Sequence, residues 1–169
     1  MKKMIMAGLL LLLTACSSEN GNATVEQLKE DHPHVKKVAE ELPESVQENL
    51  AAPKKLPFKP KNVELIYAGD PPGDPKGEIH HTELLYGKGD GTLLQVTMFH
   101  NKKSTFHNEG KLKTTKLKDG TKVTIDVDTP KAKEIRWKRN ERYYALMMMG
   151  SEITIDDLVE TANSMEYYE

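Results

Sequence analysis

The 169-residue chain predicts an α+β fold: a curved antiparallel sheet of about six or seven strands, a C-terminal helix on one of its faces, and short helices before it. Three observations carry this expectation. Strand-like segments in the second half are joined by Gly- and Asp-rich turns. The last apolar residues recur at helical spacing. The charged segment 25–50 is helix-prone but broken by proline.

In Val25 to Leu50, Val35, Val38, Ala39 and Leu42 form one apolar stripe. Pro33 and Pro43 interrupt it, because proline lacks the amide donor and clashes with the preceding turn. Two or three short helices follow, Pro43 suiting the first turn of the last. Ala51 to Pro60 holds three prolines and reads as an extended connector. Val63 to Tyr67 is short and β-rich, and Asp70 to Gly77 is a loop by composition. Ile79 to Tyr86 and Thr92 to His100 flank Gly87-Lys88-Gly89-Asp90-Gly91, which reads as a hairpin. Lys113 to Leu117 and Thr121 to Val127 flank Asp119-Gly120, a strong hairpin signal. Glu134 to Lys138 and Arg142 to Met149 make a third pair, turning without glycine near Asn140-Glu141. Thr154 is an N-cap for a final helix, and Asp156 and Asp157 suit the positive end of its dipole. Ile155, Leu158, Val159, Ala162 and Met165 give that helix one apolar face.

At the other end, Lys2 and Lys3 precede an apolar run from Met4 to Leu13, closed by Leu13-Thr14-Ala15-Cys16. A membrane helix needs roughly 20 apolar residues, and this run is shorter. Basic residues, a short apolar core and a small-residue end are the pattern of a cleavable export signal. The four residues ending at Cys16 resemble the lipobox of bacterial lipoproteins. The resemblance implies that the Cys16 thiol takes a diacylglyceryl group and that the leader is cut just before it. The expected organisation is a signal peptide over 1–15, a polar tether over 16–24, a charged helical segment over 25–52 and an extracytoplasmic domain over 53–169. The protein would sit on the outer face of the cell membrane, held through the lipid on Cys16.

Removing Lys2 and Lys3 leaves 22 basic against 26 acidic residues. A mildly acidic, well-mixed chain lacks the electrostatic footprint of a nucleic-acid binder. Cys16 is the only cysteine, so no intramolecular disulfide forms and core packing must supply the stability.

Trp137, Tyr143-Tyr144-Ala145-Leu146, Ile153 to Leu158 and Ala162-Asn163-Ser164-Met165 resemble the end of an extracellular domain of unknown function. That domain occurs in Bacillus-type lipoproteins and in the outer parts of anti-sigma-like membrane proteins. Leu56-Pro57 and Val63 to Tyr67 match its earlier part. The resemblance covers roughly residues 50 to 166 and implies an α+β fold at the envelope, with no activity attached. The long charged N-terminal segment and Met147-Met148-Met149 depart from the pattern. A more distant similarity, to half-barrel lipid carriers, holds at the level of fold.

The candidate metal ligands are His80, His100 and His107. A hairpin symmetric about Gly89 would set His80 opposite Met98 and diagonal to His100, within reach of a shared ion. Half-exposed strand histidines are the plainer reading. Trp137 and Tyr143 are candidates for stacking on a ligand. Alternation sends Tyr143 and Tyr144 to opposite faces, so at most one joins Trp137. Met147 and Met149 share a face and could line an adaptable apolar groove; core packing is the simpler role for both groups. Five lysines between Lys111 and Lys122 could meet anionic headgroups or protect a sheet edge. No G-x-S-x-G elbow, P-loop or H-E-x-x-H helix occurs in the sequence.

The expected function is therefore a membrane-anchored, non-enzymatic surface lipoprotein that binds or senses an envelope protein or apolar ligand, with no cofactor. The alternatives are a lipid carrier of the half-barrel type and a metal-dependent hydrolase acting on the envelope.

Overall fold

A computed structural model describes residues 24–102, 104–106, 112–150 and 153–167. Helix α1 (Val25–Asp31) is capped by Thr24, whose hydroxyl accepts from the Gln27 amide at 3.2 Å. Helix α2 (Pro33–Glu41) opens on Pro33, and Pro43 precedes α3 (Glu44–Gln47). Each proline stands where a helix begins and its missing amide costs nothing. Strand β1 (Ala51–Pro53) then leads into β2 (Asn62–Asp70), β3 (Glu78–Gly87), β4 (Leu93–Phe99), β5 (Lys113–Lys116), β6 (Lys122–Asp128), β7 (Ala132–Arg139) and β8 (Arg142–Met149). Helix α4 (Ile155–Asn163) and strand β9 (Met165–Tyr167) follow.

Strands β2 to β8 form one antiparallel sheet of seven, ordered β2-β3-β4-β8-β7-β6-β5. The fold is α+β, and all three expected hairpins are present. The glycine-free turn works because Asn140 and Glu141 take φ of 48° and 63°, the two left-handed residues of a tight hairpin. Edge strand β5 exposes Lys113 and Lys116, which discourages pairing with another chain.

Alternation along each strand splits the sheet into two faces. One carries Leu65, Leu84, Tyr86, Leu94, Leu146 and Trp137, all buried in a single hydrophobic cluster. Leu28, Val35, Val46 and Leu158 bring the four described helices into that cluster. Segment 25–52 thus packs on the same core as the strands. Among the described residues, no helix is long and apolar enough to cross a membrane.

Helix α4 is held at both ends. Thr154 and Asp157 form a reciprocal capping box, with amide-to-oxygen distances of 3.2 and 2.9 Å. At its C-terminus the Asn163 side chain accepts from the Lys118 amide at 2.7 Å. The helix stops sooner than its apolar spacing suggests, and Met165 belongs to a strand instead. Ser164 ends it: its carbonyl and hydroxyl accept from the Lys54 and Lys55 amides, both at 2.9 Å. Strand β9 then pairs with β1, so Ala51–Pro53 is a strand within the expected connector.

Candidate binding surface

The second face of the sheet carries no helix among the described residues, and the pairing lays out its side chains in rows. The first row runs Leu93–Met149–Ala132 across β4, β8 and β7. The next runs Glu64–Leu85–Gln95–Met147–Glu134 from β2 to β7. The third runs Ile66–Glu83–Thr97–Ala145–Arg136. His81 and Phe99 lie opposite one another in the fourth, with Tyr143 and Lys138 paired further along.

Two parts of this face differ in character. Over the fourth row an aromatic cluster covers the surface, beside a hollow of about 250 Å³ lined by Phe106, Arg136, Lys138 and Tyr143 among others. Phe106, from the segment after β4, meets Phe99 edge-on at 5.1 Å and Tyr143 at 4.8 Å. The Arg136 guanidinium lies 3.7 Å from the Phe106 ring centre, a cation–π contact, and binds Asp126 at 3.0 Å. Arg136 is thereby buried with its charge compensated. Over the first two rows, and at Ile66 in the third, the apolar side chains meet solvent, while Ala145 is buried. Ile66 is 41 % exposed and Met149 40 %, while Leu85, Leu93 and Met147 are half-buried. Carboxylates rim this apolar strip at Glu64, Glu83 and Glu134. Burial, reinforced by the nearby Asp126 charge, holds the Glu134 carboxyl above the usual carboxylate range, and Arg136 opposes that rise.

Trp137 lies on the core face. It stacks on Tyr144 at 5.8 Å with planes 17° apart, and its indole N–H donates to the Tyr167 hydroxyl at 3.0 Å. It is closed to a ligand, and the stacking role expected for it gives way to packing. Tyr143, Met147 and Met149 all lie on the open face, and Met148 points into the core.

His80 and His100 are cross-strand neighbours, the His100 amide donating to the His80 carbonyl at 2.9 Å, but no third ligand joins them among the described residues. Thr82, not His80, is opposite Met98, because the β3–β4 pairing is displaced from symmetry about Gly89. His80 is moreover the extra residue of a bulge, since Ala68 pairs with His81 and Gly69 with Ile79. Gly69 permits it: a Cβ there would stand 2.6 Å from the Glu78 carbonyl oxygen. His81, on the open face, reaches Glu83 at 3.3 Å. His100 sits 2.9 Å from the Thr82 hydroxyl. Burial first, then the charges of Arg142 and His81, drive its imidazole down to about 4. Among the described residues no three His, Cys, Asp or Glu side chains gather as a metal site. His107 and Cys16 lie outside the described residues.

A hollow of about 430 Å³ opens beside the β3–β4 turn, lined by Phe58, Lys88, Asp90, Met148, Ile153 and Asp157 among others. Its charges are already engaged. Lys88 pairs with Asp90 at 3.3 Å, Asp90 accepts from the Thr92 amide at 2.9 Å, and Asp157 caps α4.

Strand alternation alone could have joined Phe99 and Leu93 to this surface. Phe106, arriving from a loop, leaves no periodic signal. No family model, curated protein or solved structure matches this chain.

Proposed function

We propose that the chain is a lipid-tethered, extracytoplasmic, non-enzymatic module that binds a protein through the open face of its sheet. The observation that carries this reading is the contrast between the two faces. The space between sheet and helices is filled by fully buried side chains, including Trp137, Tyr86, Leu94, Leu146 and Leu158. That filling supports a surface binder over a carrier that stores an apolar ligand inside. The opposite face offers Met and Leu side chains to solvent, the adaptable chemistry of a protein-docking surface.

The tether complements this. Seven residues separate Cys16 from Thr24, and an extended chain of that length spans at most about 25 Å. It joins the fold at α1, on the helical side. A lipid attached there holds the helices toward the membrane and leaves the open face toward a partner.

Cys16→Ser is expected to move the protein from the membrane to the soluble fraction and to abolish labelling by a fatty-acid precursor, with an unchanged circular-dichroism spectrum. Retention in the membrane would remove the anchor from the account. The docking half of the reading is tested by photo-crosslinking from the two sides of the molecule.

A further inference from the structure

Resting on that reading, we propose that the occupant of the open face is a basic amphipathic helix of a partner protein. Its apolar stripe lies along Leu85, Leu93, Met147 and Met149, and its lysines or arginines face Glu64, Glu83 and Glu134.

Shape and charge both select this occupant. Leu93 and Met149 are paired across β4 and β8, and Leu85 and Met147 flank Gln95 in the next row. Neighbouring strands lie about 4.8 Å apart, so this strip is about 10 Å wide, the width of one helix with its side chains. The same sheet already takes α4 on its other side through an apolar stripe. Ile66 on β2 and Met149 on β8 are the exposed large hydrophobic side chains among the described residues. Of the cations on this face, Arg136 is engaged with Asp126 and the Phe106 ring, and Lys138 lies over the Tyr143 ring in the fourth row, beyond the strip. Glu83 has His81 at 3.3 Å, a partner charged only when protonated. Glu64 is exposed on edge strand β2, where a second molecule can reach it. An apolar strip with an acidic rim selects a basic amphipathic segment over an acidic or uniformly polar one.

The test uses the full chain with Cys16→Ser, so that no acyl chain binds the probe. The probe is a fluorescent helical peptide of leucine and lysine, compared by anisotropy with a scrambled peptide of the same composition and with a leucine–glutamate analogue. Binding of the amphipathic lysine peptide alone is expected, weakening as salt rises. Met147→Gln/Met149→Gln and, separately, Glu64→Gln/Glu83→Gln are each expected to weaken it about tenfold, some 1.4 kcal/mol. Glu40→Gln/Glu41→Gln on the helical side is expected to change nothing. Equal binding of the scrambled peptide, equal loss in the helical-side variant, or no binding at all would each overturn the proposal. If the peptide fails while a crosslinker at Met149 still captures a protein, the partner class is wrong and the docking face stands. If both fail, the docking face falls with it.

Discussion

Trp137→Ala is expected to destabilise the fold by about 3–5 kcal/mol, the range for deleting a large buried aromatic. Three losses combine. The indole is fully buried at 2 % exposure, so its removal leaves a cavity in the closed core. Its stacking on Tyr144 disappears. The Tyr167 hydroxyl loses its donor, and with it one tie between β9 and the main sheet. Tyr167 is itself pushed up to about 12, chiefly by burial, so it cannot ionise in compensation. At roughly 2–4 °C per kcal/mol for a domain of this size, the melting temperature falls by about 10 °C. Trp137→Phe keeps most of the ring and loses the hydrogen bond, and so costs less. Thermal and urea unfolding measure both; a Trp137→Ala loss below about 1 kcal/mol would contradict the placement of this side chain.

Acidification is expected to weaken the fold through His100. In the unfolded chain the imidazole titrates near 6.5, and in the folded protein near 4. The folded state therefore favours the neutral ring. Below about pH 6.5 the unfolded chain takes up a proton that the native protein refuses, so stability falls with pH and levels off below about 4. The depression corresponds to a loss on the order of 2–3 kcal/mol between pH 7 and pH 4. Asp126 and Glu134, both raised by burial, act in the opposite direction over the acid end of this window. The clean comparison is therefore the wild type against His100→Gln in urea titrations from pH 7.5 to 4.5. The variant's pH dependence is expected to be shallower by that amount. Parallel curves would show that His100 titrates as an exposed histidine does.

Much of the architecture was legible because its signals are local. Asp119-Gly120 marks a hairpin, with Gly120 at φ of 88° as such a turn demands. Thr154 marks a helix start as its N-cap, with Asp156 and Asp157 in the first turn. What escaped depends on partners distant in sequence. Strand β9 has three residues and exists through its pairing with Ala51–Pro53, so Met165 reads as helix until that partner is known. The β3–β4 register departs from symmetry about Gly89 already at the turn, where Gly87 faces Leu93, and the bulge at His80 is set by how β2 lies on β3. That Tyr144 and not Tyr143 joins Trp137 follows from the two-residue turn at Asn140-Glu141, whose glycine-free sequence concealed its geometry. The open face was half visible: alternation grouped Met147 with Met149, while Phe106 came from a loop.

The docking face is the centre of this account, and photo-crosslinking on intact cells tests it most directly. A photo-reactive residue replaces Met149 on the open face or, separately, Lys37 on the exposed side of α2. A discrete crosslinked protein is expected from position 149, its yield reduced by Glu64→Gln/Glu83→Gln, and none from position 37. Capture from position 37 alone, or equal capture from both, would contradict it.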